Sequence, residues 1–226
     1  MKNCLHKLKI FKNGFTLAEV LITLVIVGVV AAFTIPTVIN TYVESSTVAK
    51  VKKGLSILGQ AKKLAEAQNG SIMGWDFSDG FTAEAAEQFW NYLKPHLSVA
   101  KDCGSNTDCY KPNGLYYMYG GSADHASNSK YYKFVLADGS VMWFKMLEGE
   151  RCSSSFANLQ NVCATFFHDV NGDKKPNTFG KDIFNYKMTI DNIYPDSRAD
   201  CKDDSSSYGF GCSGYIIKNN NMNYLH

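Results

Sequence analysis

Glu19 is the sole charged side chain in the 21 residues from Phe15 to Ile35, and it follows Gly14 by five positions. A charged side chain at mid-bilayer costs about 2.5–3.5 kcal/mol on insertion scales, so an acid placed here is read as functional. The chemistry open to it is charge pairing at a helix start. A second constellation is Cys103, Cys109, Cys152, Cys163, Cys201 and Cys212. Six cysteines beyond an export segment suit disulfides formed in an oxidising compartment. They allow 15 connectivities; the sequential pairing 103–109, 152–163, 201–212 is preferred because each pair closes a short loop bearing Gly, Ser or Asn. A metal site is the rival, and no Cys-x-x-Cys or Cys/His spacing supports it. A third constellation is Asp169, Asn171 and Asp173, alternating in a turn-rich loop where their oxygens can converge on a hard cation such as Ca2+. Gly172 comes too early for an EF-hand and no glutamate follows at the twelfth position. Three oxygens fall short of the usual six to eight ligands, and Asp and Asn also organise turns through neighbouring amides without metal. Asp182 serves either purpose.

These groups need elements to hold them. The chain of 226 residues is 45% hydrophobic and 19% charged, which suits a folded domain plus an extended segment. As a helix, Phe15–Ile35 spans roughly 31 Å, about one bilayer core. Pro36 follows and removes one helical hydrogen bond. Beyond it Val48, Val51, Leu55, Leu58, Lys62 and Ala65 recur at spacings of three and four, an amphipathic continuation ending at Asn69-Gly70. Thr82 to Leu93 reads as a short helix with Thr82 as cap, Phe81 and Ala85 as a staple, and Pro95 after its end. Lys133–Leu136 and Val141–Phe144 flank Ala137-Asp138-Gly139-Ser140 as a hairpin. Tyr215-Ile216-Ile217 is expected to be a further strand, and Asp203–Ser207 an exposed loop. The tract Tyr110, Tyr116, Tyr117, Tyr119, Tyr131 and Tyr132 offers a face for sugar, DNA or protein, with strand packing the stronger reading.

Three readings compete for the N-terminus. A secretory signal cleaved near Val30-Ala31-Ala32 has no use for Glu19. A capping box, Thr16-x-x-Glu19, explains that spacing and neither the preceding Lys12-Asn13-Gly14 nor the apolar run. The full stretch Lys12-Asn13-Gly14-Phe15-Thr16-Leu17-Ala18-Glu19 resembles the cleavage and methylation site of type IV prepilins and type II secretion pseudopilins. The resemblance is specific over about the first 55 residues and accounts for all these features together. It implies cleavage after Gly14, N-methylation of Phe15, and a role for Glu19 in docking each subunit into a filament. Some pseudopilins also carry calcium in a comparable C-terminal loop. Removing residues 1–14, with Lys2, Lys7, Lys9, Lys12 and Cys4, takes the formal charge from +2 to −2, so a nucleic-acid role argued from basicity fails.

The expected fold class is α+β: a long N-terminal transmembrane and filament-core helix with a globular head on an antiparallel sheet, stabilised by disulfides. Its expected parts are a leader (1–14), a membrane or filament-core helix (15–36), its amphipathic continuation (37–69) and the head (70–226). His6, His96, His125, His168 and His226 are scattered, and no nucleophile constellation stands out, so no enzyme is expected. The function implied is a structural filament subunit; the alternative is a minor tip pilin whose head captures DNA, a surface or a secreted substrate. Implied partners are a prepilin peptidase with N-methylating activity, other pilins, an assembly platform and its ATPase, and the membrane, with no nucleic acid outside a competence-type pilus. The leader lysines place the N-terminus in the cytoplasm and the chain in the bacterial inner membrane, its head periplasmic or extracellular.

Overall fold

Helix α1 runs Leu17–Asn69 and passes through Pro36 without a break. The computed structural model describes residues 14–125, 127–202 and 204–226, so the expected leader, apart from Gly14, lies outside the described residues, as does Asp203. The chain divides into two units, 1–43 and 44–226.

In the first unit α1 is apolar and long enough to cross a membrane. The large apolar side chains of this unit are exposed, Phe15, just before the helix, Leu17 and Phe33 most of all. The hydroxyls of Thr23, Thr34 and Thr41 donate back to carbonyls three or four residues earlier, so these hydroxyls are satisfied within the helix.

The second unit is built on a seven-stranded antiparallel sheet. Its strands are β1 (Val99–Gly104), β2 (Tyr132–Leu136), β3 (Val141–Met146), β4 (Ser154–Phe156), β5 (Leu159–Asp169), β6 (Ile183–Thr189) and β7 (Ile193–Pro195). They run in the order β1-β2-β3-β5-β6-β7, with β4 beside β5. The Asp138-Gly139 turn joins β2 to β3, Gly139 supplying the positive φ that the turn requires. The register Tyr132↔Phe144↔Phe166↔Tyr186 stacks large side chains across one face. That face packs under α1 and helix α2 (Ala83–Leu93) in one core cluster. The opposite face carries Val141, Trp143, Phe167 and Ile183, covered by loop residues Tyr110, Leu115 and Phe179 in a second cluster. With both faces covered, β6 is buried along its whole length: Phe184, Tyr186 and Met188 enter the helix-side cluster, and the alternating Asn185, Lys187 and Thr189 are buried polar residues.

From residue 44 onward α1 lays its stripe on the sheet, burying Val48, Val51, Leu58, Lys62 and Ala65, with Leu55 half-buried. Lys62 keeps its charge satisfied through Glu66 and the Ile190 carbonyl, each at 2.7 Å. Gly54 sets the closest approach, since a Cβ there would lie 2.5 Å from His168 Nδ1. The helix stops at Gly70, whose φ of +75° suits glycine.

Thr82 caps α2 by accepting from the Ala85 amide. The expected staple does not form. Thr82 is extended, and Phe81 turns away to meet Tyr131 edge-on at 5.3 Å, while Ala85 sits in the other cluster. Tyr215-Ile216-Ile217 is a second departure, belonging to helix α3 (Cys212–Asn219). Its buried residues Cys212, Ser213 and Ile216 recur with helical spacing, and Asn220 closes it in a left-handed conformation. Two adjacent isoleucines favour a strand locally, and burial of the Cys212–Ile216 stripe outweighs that preference. Within Asp203–Ser207, Ser207 is buried against Met118. The tyrosine tract packs mostly as loop: only Tyr132 lies within a named strand. Disulfides join Cys103–Cys109, Cys152–Cys163 and Cys201–Cys212.

Candidate functional site

Gly14 is exposed with open space where a Cβ would stand. Phe15 follows, also exposed. The next turn is closed by a reciprocal pair. The Thr16 amide and hydroxyl donate to Glu19 Oε2 at 2.8 and 2.7 Å, and the Glu19 amide donates to Thr16 Oγ1 at 3.3 Å. This is a capping box, satisfying backbone donors that a helix start leaves free. Glu19 also places negative charge at the positive end of the helix dipole. The first turn therefore carries an accessible backbone at Gly14, an exposed aromatic at Phe15, and a carboxylate held beside the Phe15–Thr16 peptide.

Of the three residues read as cation ligands, Asp169 and Asn171 come together and Asp173 is exposed. Asp169 accepts from the Tyr110 hydroxyl and from the Asn171 amide at 3.1 Å. Burial raises its carboxyl to about 8, with the charge of Asp182 adding to the effect. Asp182 accepts from the amides of Thr178 and Asn177 at 2.7 and 2.8 Å and from Asn171 Nδ2 at 3.1 Å. The carboxylates thus face N–H and O–H donors, as turn organisers do. Asn171 Oδ1 and both polar atoms of Asn177 are buried without a partner. Among the described residues, no three His, Cys, Asp or Glu side chains gather as a metal site.

His125 lies between two phenols, with Nδ1 2.9 Å from Tyr131 Oη and Nε2 3.2 Å from Tyr117 Oη. Burial lowers its pKa to about 4, and Lys145 acts in the same direction, so the ring is neutral. It knits the loop layer to the sheet. Residue spacing gave no sign of this centre, nor of Tyr208 and Phe210, which pack on Tyr117 from 91 and 93 residues away in sequence.

Residues 11–35 match the family model described as the prokaryotic N-terminal methylation motif. Neither the comparison with curated proteins nor that with solved structures gave a match. The N-terminal segment is thus a type IV prepilin-like signal, and the apolar helix, antiparallel sheet and disulfides fit a pilin-like α+β fold.

Proposed function

We propose that this chain is a structural subunit, a pilin or pseudopilin, of a type IV-pilus-like or type II secretion filament. The observation that carries the reading is the methylation motif over residues 11–35, continued by an exposed apolar helix that finds no core of its own within residues 14–43. A prepilin peptidase cleaves after Gly14 and methylates the new amine of Phe15. The chain waits in the inner membrane as a single-pass protein with its N-terminus inside. Assembly then transfers the apolar helix from lipid to the helices of neighbouring subunits, so the same side chains meet hydrocarbon before and after. The proposed parts are the leader to Gly14, the membrane segment 15–36, its continuation 37–69 and the head 70–226.

Glu19 has a defined part in this reading. A free amine at a helix N-terminus opposes the helix dipole and gains from a nearby carboxylate. In a medium of low dielectric that gain grows, offset in part by desolvation. Terminal sequencing of mature protein tests the processing step. A start at methylated Phe15 is expected, and a start at Phe33 would instead identify an ordinary secretory signal.

A further inference from the structure

Two tyrosines in the loop layer are held in solvent by more structure than an ordinary surface residue receives. Tyr117 and Tyr119 stack with centroids 5.6 Å apart and planes 12° apart. Tyr208 and Phe210 stack at 5.9 Å and 9°. The two stacks stand nearly at right angles, Tyr119 meeting Tyr208 at 5.3 Å and 80°. The inner rings, Tyr117 and Phe210, rest on buried Phe179. The outer rings are open, Tyr119 being 41% and Tyr208 46% exposed.

The backbone beneath is fixed. The Tyr119 amide donates to the Ser207 carbonyl at 2.9 Å, and the Met118 amide to the Tyr208 carbonyl at 3.3 Å. The Cys201–Cys212 disulfide closes the loop that carries Tyr208. Gly209, at φ +79°, lies so near the Phe179 carbonyl that a Cβ would fall 2.4 Å from its oxygen. A Cβ on Gly121 would fall 2.3 Å from Tyr119 Cε2, so that ring lies on bare backbone. Rings locked this way lose little entropy when a ligand covers them.

We propose that Tyr119 and Tyr208 form a binding shelf for neutral polysaccharide, stacking on the C–H face of a hexopyranose. Such a sugar has an apolar face of axial C–H groups and a rim of hydroxyls, and needs flat apolar surface beside hydrogen-bonding groups. Tyr119 and Tyr208 supply the first. Asp204, exposed on the same loop as Tyr208, supplies carboxylate acceptors, its Oδ1 already accepting from the Ser206 hydroxyl at 2.8 Å. Polyanions are disfavoured. Asp204 lies on that loop and Asp124 acts on Tyr117, against Lys202 and Arg198. The Arg198 guanidinium, 4.5 Å over Phe210, is already paired with Asp196 at 2.7 Å, and nucleic acid needs a continuous basic track beside its stacking rings. A protein partner is less suited because the exposed large aliphatics among the described residues of 44–226 are Leu64 and Met73, neither of them in these loops. The shelf does not depend on the filament role.

The test uses the full chain in lauryldimethylamine oxide, a detergent without a sugar headgroup, titrated calorimetrically with three neutral hexose polymers, dextran, mannan and a soluble β-glucan, with heparin as the polyanion control. Binding to at least one is expected. Tyr119→Ala and Tyr208→Ala should each weaken it about tenfold, the scale of one lost stacking contact, while the head still unfolds cooperatively, its melting temperature lowered by a few degrees at most. Tyr194→Ala, at an exposed tyrosine on β7, should bind as the parent does. Three outcomes would overturn the shelf: no binding to any of the three, salt-sensitive binding to heparin alone, or equal loss in the Tyr194 variant. Loss of self-association in the two shelf variants without polysaccharide binding would make the patch a protein interface and equally end the proposal.

Discussion

Glu19 binds Thr16 through both its amide and its hydroxyl, so the carboxylate already has partners before any second subunit arrives. In the proposed filament, assembly would exchange one set of donors for another, and the carboxylate need never be stripped bare in lipid, where an unpaired charge is costly. Glu19→Leu keeps the segment apolar and should leave membrane insertion intact while reducing sheared filaments severalfold, as read by fractionation and immunoblot. Normal filament yield would remove Glu19 from assembly. Glu19 was visible in sequence because a charge in an apolar run stands out locally. His125 was not, since its neutrality comes from Tyr117, Tyr131 and Phe167 closing around it. Its folded pKa near 4 lies below the ordinary 6.5. Between those values the unfolded chain binds more protons, so the stability from neutral His125 is present above pH 6.5 and lost as pH falls through 4. The loss amounts to as much as about 3 kcal/mol. Melting curves from pH 7 to 4 should show this, and His125→Gln should flatten the decline by that share.

At the scale of elements, the packing of α1 on the sheet rests on a small residue at the right turn. Gly54 brings the helix backbone over His168 and Tyr186, and the Tyr186 hydroxyl donates to the Val51 carbonyl at 2.9 Å. Gly54→Ala should push the helix off this contact and cost about 1–3 kcal/mol by overpacking. Gly59 has nothing within 4 Å of a Cβ, so Gly59→Ala should be neutral or raise stability by up to about 1 kcal/mol through helix propensity. Equal effects of the two in chemical denaturation would show that the close approach at Gly54 carries no weight. The elements themselves were largely readable. The α1 stripe, the Thr82 cap and the Asp138-Gly139 hairpin each rest on local signals, the stripe on spacings of three and four between Val48 and Ala65. The end of the chain misled because Tyr215-Ile216-Ile217 has strand preference, while a disulfide at Cys212 and burial of Ile216 select the helix. Phe81 misled for the same reason: its partner Tyr131 lies 50 positions away.

At the scale of the molecule, two solvents act on one chain. Residues 14–43 expose apolar side chains throughout, and so require lipid, detergent or neighbouring helices. Residues 44–226 contain both core clusters, the whole sheet and all three disulfides, which is everything a domain needs to fold alone. His226 meets the helix 2.8 Å from Glu44 Oε1, a contact between residues 182 positions apart that no local pattern announces. The loop Asp169–Asp182 lies within this second unit, and the carboxyls of Asp169 and Asp182 are satisfied by Tyr110, Asn171, Asn177 and Thr178, while Asp173 is exposed. A head stabilised by calcium would gain about 2.7 kcal/mol at a hundredfold excess over Kd, a shift of a few degrees in melting temperature. A loop closed by its own hydrogen bonds gains nothing. A fragment beginning at Glu44 should therefore be soluble without detergent, and its melting temperature should be the same in millimolar calcium and in chelator. Insolubility would show that the anchor completes the head's core, and a calcium-dependent rise would show that the unpartnered oxygens of Asn171 and Asn177 hold a cation.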